Sequence, residues 1–111
     1  MTHAWIKAAL TAIAASAALY TPHATAGVHC TEKVTMAILH QNGDIYFQTD
    51  NTCSAHWCQI NWGTPEKDKN GLAMLLSAKL SERPLTFYWG SLNACSEKNP
   101  VYKSPEYVMM Y

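Results

Sequence analysis

Apolar and polar positions alternate along this chain in five short stretches that read as strands. Lys33 to Gln41 is the first, with Val34, Met36 and Ile38 alternating with Thr35, Ala37 and Leu39, so both faces carry small or apolar groups. Asn42-Gly43-Asp44 then gives a hairpin signal, because a tight primed turn needs positive φ. Ile45 to Thr49 is the return strand, with Ile45 and Phe47 on one face and Tyr46 and Gln48 on the other. A two-residue turn at Asn42-Gly43 would set Gln41 opposite Asp44 and Cys30 opposite Ala55. After a polar loop, Asp50 to Trp57, the third strand is Cys58 to Trp62. Leu85 to Trp89 is the fourth, and Glu106 to Tyr111 the last. A long irregular loop, Gly90 to Pro105, separates these two.

The period changes between the third and fourth strands. Gly63 to Lys69 reads as a charged loop. Leu72, Leu75, Leu76 and Leu80 then follow helical spacing, with Asn70 or Asp68 placed to cap the start. Arg83-Pro84 ends the helix, since a residue before proline avoids the α region. Three strands, a helix and two strands is the order of the OB-fold, a five-stranded Greek-key barrel. Closing the sheet would remove its exposed edges. The other arrangement is an open α+β sheet with the helix across one face. The final strand is apolar on both faces, with no charge after Glu106. Either the barrel covers both faces, or a second copy in a homo-oligomer covers one.

The N-terminal stretch has a different pattern. Lys7 precedes an apolar run from Ala8 to Leu19, followed by Tyr20-Thr21-Pro22-His23 and Ala24-Thr25-Ala26. This is the order of a secretory signal peptide with an A-x-A cleavage box. The run is too short for the ~20 residues of a spanning helix. The expected organisation is a signal peptide at 1–26 and a single disulfide-stapled β domain at 27–111, secreted or periplasmic in a bacterium. No membrane span is expected after cleavage.

Composition narrows the function classes. Eight basic and eight acidic residues give a net charge of zero, and charged residues are 14% against 49% hydrophobic. That excludes a disordered chain, which needs low hydrophobicity and excess charge. It also disfavours nucleic acid as a partner, for want of a basic stripe. All four cysteines, Cys30, Cys53, Cys58 and Cys95, follow the signal segment. An even number in a small exported domain reads as two disulfides. The zinc alternative rests on Cys53-x4-Cys58 with His29 and His56 nearby, and an oxidising compartment argues against it. The hairpin register favours Cys30–Cys58 and Cys53–Cys95 among the three pairings. No cofactor or metal is implied.

No enzyme motif is present: no G-x-S-x-G, H-E-x-x-H, P-loop or G-x-G-x-x-G. His40 reads as an exposed strand-end residue, while His29 and His56 could meet at the Cys30 end of the sheet. The carboxylates Asp44, Asp50, Glu66, Asp68, Glu82, Glu97 and Glu106 fall mostly in loops. The protein is therefore read as a non-enzyme. Phe47, Phe87, Trp62 and Trp89 alternate as core residues. Trp57 and Tyr102, in loops, do not. With Gln48 and Asn93, and with Asn51 and Asn99 nearby, they form a candidate sugar- or peptide-binding rim.

The segments Leu75-Leu76-Ser77-Ala78-Lys79, Arg83-Pro84-Leu85-Thr86-Phe87-Tyr88 and Cys95 resemble a recurrent pattern of small secreted bacterial proteins of uncharacterised function. Gly43-Asp44-Ile45-Tyr46-Phe47 and Cys53-x3-Trp57 extend that likeness. More faintly, the chain resembles the B subunits of pertussis-type and subtilase-type AB5 toxins, OB-folds that bind glycans. The resemblance implies fold and compartment, and carries over no site residue. The expected function is a small exported binding module for a glycan or a protein surface. The alternative is a periplasmic inhibitor of a hydrolase such as a lysozyme or protease, working through the Gly90 to Pro105 loop.

Overall fold

The structure is a computed structural model that describes residues 26–111. Apart from Ala26, the segment read as a signal peptide lies outside the described residues. The elements run β1 (Val28–Glu32), β2 (Val34–Leu39), β3 (Ile45–Thr49), β4 (Cys58–Ile60), α1 (Pro65–Ser81), β5 (Leu85–Trp89) and β6 (Tyr107–Met109). They form two three-stranded antiparallel sheets, in the orders β1-β5-β6 and β2-β3-β4. Among the described residues no helix is long and apolar enough to cross a membrane.

Among the described residues the fold is thus mainly β with one helix, as expected, but it has six strands in two sheets rather than a closed five-stranded barrel. The added strand is β1. It pairs along its whole length with β5, from Val28 opposite Trp89 to Glu32 opposite Leu85. Lys33 alone separates β1 from β2, so the chain leaves one sheet and enters the other at a corner. Asp50 pins that corner: its Oδ1 accepts from Lys33 N–H at 3.0 Å, and its own N–H donates to Lys33 O at 3.0 Å. On the opposite side, β4 and β6 share no ladder. Gln59 N–H donates to Lys103 O at 3.0 Å, and Ser104 Oγ accepts from Asn61 N–H and donates to Gln59 O. A loop therefore fills the place of a closing strand pair.

Two local irregularities set which side chains face outward. The β2–β3 turn has three residues, not two. His40 N–H donates to Asp44 O and Gly43 N–H to His40 O, with Gly43 at φ 93°. This is a type I turn followed by a left-handed residue, a geometry that favours glycine. The register therefore runs Leu39 opposite Ile45 and Ile38 opposite Tyr46, one residue away from the expected pairing. A bulge then interrupts β2 between Val34 and Met36. The extra residue switches the parity, so Val34 faces in while Met36 and Ile38 face out.

The helix begins earlier than its leucines suggest. Thr64 is the N-cap, its side chain accepting from Lys67 N–H, and Pro65 opens the first turn with Glu66 and Asp68. Neither Asn70 nor Asp68 caps it; Asp68 Oδ1 instead accepts from Trp62 N–H at 2.8 Å. The buried stripe is Gly71, Leu75 and Ala78, while Leu76 and Leu80 are exposed. Small residues let the helix lie close on β4. A Cβ at Gly71 would stand 2.6 Å from Ile60 Cγ2 and 3.0 Å from Trp62 Cζ3. Gly71→Leu is therefore expected to lower the unfolding free energy by roughly 1–3 kcal/mol, measured by urea titration, because the overpacking strain exceeds the gain in helix propensity.

Inside, Phe87 stacks between Phe47 and Trp89, with centroids 5.5 and 5.6 Å away. Trp62 is only half-buried, and its Nε1–H donates to Pro105 O. Beside this stack lies a carboxylate, Glu32, 1% exposed. Oε1 accepts from Thr49 Oγ1 at 2.7 Å, Thr52 N–H at 2.5 Å and Thr52 Oγ1 at 2.9 Å. Oε2 accepts from Trp89 Nε1–H at 3.2 Å and lies 2.8 Å from Thr52 Oγ1.

Both disulfides form, in a pairing that differs from the one the hairpin register favoured. Cys30 joins Cys95 across 65 residues, and Cys53 joins Cys58 across 5. The favoured pairing needs the β2–β3 register to continue back through residue 30. Cys30 instead lies on β1, opposite Phe87 of β5, and is covered by the loop that follows β5.

Candidate functional site

The outer face of the β2-β3-β4 sheet carries the most distinctive surface. The β2 bulge turns Met36 and Ile38 outward, and the alternation of β3 turns Tyr46 and Gln48 to the same face. Trp57, just before β4, and Tyr102, in the long loop, close over this sheet. Ile38, His40, Tyr46, Trp57 and Tyr102 line an open depression of about 340 Å³. The Tyr46 and Tyr102 rings lie 5.2 Å apart and tilted by 46°.

Tyr102 is held in an unusual way. Lys103 N–H donates to Pro100 O, so residues 100–103 form a β-turn with Tyr102 at its third position. Tyr102 has φ 63° and is 54% exposed. A turn with positive φ at that position normally takes glycine or asparagine. A bulky side chain there costs about 1–2 kcal/mol. The conformation is fastened by Tyr102 N–H donating to Trp57 O at 2.6 Å, and that bond also ties the two loops together. Below the turn, Asn99 N–H donates to Thr52 O at 2.8 Å, and Lys98 Nζ donates to Asn51 O at 3.0 Å.

Hydrogen bonds from the hairpin turn reach two of the lining residues, Tyr46 and His40. Tyr46 Oη donates to Asp44 Oδ2 at 2.9 Å, and Asn42 Nδ2 donates to the same oxygen at 3.1 Å. The hydrogen bond to Asp44, then partial desolvation and the carboxylate's charge, push the Tyr46 phenol above its usual value. Asn42 N–H donates to His40 Nδ1 at 3.3 Å. That nitrogen is the acceptor, so Nε2 carries the hydrogen in the neutral ring.

Of the four residues expected at a binding rim, the structure brings three to one face. Trp57 and Tyr102 line the depression, and Gln48 lies along the same face of β3. Asn93 is elsewhere: its Oδ1 accepts from Ala26 N–H at 3.1 Å, beside the start of β1. Ile38, His40 and Tyr46 were missed. Only the bulge and the turn length reveal their common face, and neither is written in the alternation.

His29 does not partner His56. Its Nε2 is 2.5 Å from Tyr107 Oη, and its ring packs at 4.8 Å against Tyr88, tilted by 47°, on the other sheet. A cleft between β2 and the helix end is lined by Lys33, Lys79 and Arg83 together with Asp50 and Glu82, so its charges largely offset each other. No known protein family, curated protein or solved structure matches the chain.

Proposed function

We propose that this protein is an exported binding module whose ligand is a saccharide, held against the rings of Tyr46, Trp57 and Tyr102. The observation that carries the reading is Tyr102. A large aromatic occupies a turn position that prefers glycine, and its ring is left half in solvent. Strain of that kind is retained where the side chain is needed. Flat rings around a shallow concavity, with a few polar groups at the rim, suit the C–H face of a sugar. Two disulfides fit an oxidising compartment. The strand order, with a helix between β4 and β5, supports kinship with the OB-fold, whose sheet faces bind oligosaccharides.

The test separates binding from stability. Tyr102→Gly relieves the left-handed strain and loses the ring contact with Tyr46, two effects of about 1 kcal/mol each and opposite sign. Its unfolding free energy is expected within about 1 kcal/mol of the parent, while affinity on a glycan array falls about tenfold or more. Trp57→Ala should weaken binding similarly. Unchanged glycan binding in both variants, or none by the parent, overturns the reading.

One observation favours a second reading, inhibition of a hydrolase. The loop from Gly90 to Pro105 is anchored by Cys95 and Asn99, and presents Val101 and Tyr102 to solvent at its tip. A rigid loop with an apolar tip suits insertion into an enzyme cleft. Panels of lysozymes and proteases with unchanged rates sink this alternative. Homo-oligomer formation rests on β6 and the two residues after it, where Tyr107 and Tyr111 remain exposed.

A further inference from the structure

The polar atoms around the aromatic depression are biased in charge. Tyr46 Oη donates its hydrogen to Asp44, so toward a ligand it offers only lone pairs. Asp44 Oδ2 already accepts two hydrogen bonds, and Oδ1 accepts none among the described residues. His40, whose Nδ1 accepts from Asn42 N–H, supplies a donor at Nε2, and the Trp57 indole N–H and the Tyr102 hydroxyl supply others. The rim therefore offers acceptors and donors together, which suits hydroxyl groups, themselves both.

Its charge points the same way. No Lys or Arg lines the depression. Lys98 is occupied, its Nζ donating to Asn51 O and Oδ1. The formal charge hydrogen-bonded to a lining residue is the Asp44 carboxylate, 2.9 Å from Tyr46 Oη. An anionic group placed there meets the Asp44 charge, and no lysine or arginine in the lining offsets its lost hydration.

Resting on the saccharide reading, we propose that this depression selects neutral sugars and rejects those whose terminal unit carries a carboxylate or sulfate. Asp44 acts twice, orienting the Tyr46 hydroxyl as an acceptor and repelling anions.

The test uses matched oligosaccharides on one array, each ending in a neutral hexose or in the same hexose capped by sialic acid or sulfate. The parent protein is expected to favour the neutral member about tenfold or more in low salt, with the ratio narrowing in 0.5 M salt as repulsion is screened. Asp44→Asn keeps the side chain's shape and its oxygen acceptor, and should narrow the ratio by raising affinity for the capped member. The salt series on the parent tests the same repulsion if that variant folds poorly. Equal or tighter binding of capped members by the parent overturns the selectivity and leaves the saccharide reading standing. Binding of neither member overturns both.

Discussion

Glu32→Ala is expected to lower the unfolding free energy by about 3–5 kcal/mol, read from urea or thermal denaturation. The reason lies in the donors it would abandon. Thr49 and Thr52 hydroxyls can rotate toward other acceptors, but Thr52 N–H and Trp89 Nε1–H are fixed and buried against the carboxylate. Each unsatisfied donor costs roughly 1–3 kcal/mol, and the lost side-chain volume adds a cavity beside Trp89. Such domains have about 5–15 kcal/mol in total, so this change removes a large share. Glu32→Gln is the informative companion. It keeps the volume and one acceptor but turns an NH2 group toward existing donors, so it should still lose about 2 kcal/mol. A loss below about 1 kcal/mol in Glu32→Ala would mean that water replaces the carboxylate.

The second large effect is expected from the disulfides, with an order that loop length decides. Removing Cys30–Cys95 as a double serine variant releases a 65-residue span, which the chain-entropy account values at about 4 kcal/mol. The same account gives about 2 kcal/mol for Cys53–Cys58, which spans 5 residues. The short bridge has a further role, because Asn99 Nδ2 approaches Cys53 Sγ at 3.6 Å and also donates to Thr52 Oγ1. Serines there disturb the Glu32 donors as well. The melting temperature should fall furthest for the long bridge. A larger fall for the short one would show that the polar cluster, not chain entropy, dominates.

The sequence made some elements plain for local reasons. Ile45 to Thr49 and Leu85 to Trp89 alternate cleanly because each has one face on the Phe47, Phe87 and Trp89 stack, and both strands have the expected bounds. Pro84 marked the helix end within a few residues. What alternation does not record is a change of parity. The Thr35 bulge and the third turn residue each shift which side chains share a face, and together they hid Ile38, His40 and Tyr46 as a group. The disulfide pairing failed for another reason: the hairpin register does not continue past Lys33, because Cys30 lies on β1 in the other sheet. Val28 to Glu32 went unrecognised because its outward His29 and Thr31 and inward Glu32 look like a polar tail. Glu32 belongs inside only because Thr49, Thr52 and Trp89 converge on it from three distant segments. Trp57 and Tyr102 were legible as aromatics out of place in polar loops.

The corner at Lys33 has a consequence for the order of assembly. Strand β2 finds β3 across a three-residue turn, a closure that takes microseconds in short hairpins. Strand β1, one residue upstream of the same hairpin, must wait for β5, whose residues lie some 53 to 61 positions later. Closing so long a loop is slow, because its entropy is lost before the contacts that repay it are made. The β2–β3 hairpin therefore pairs early, while Glu32 stays in water until Trp89 arrives. A chain emerging from its N-terminus thus cannot complete its interior until four-fifths of it is available, which keeps it open to threading through a narrow pore for most of its synthesis.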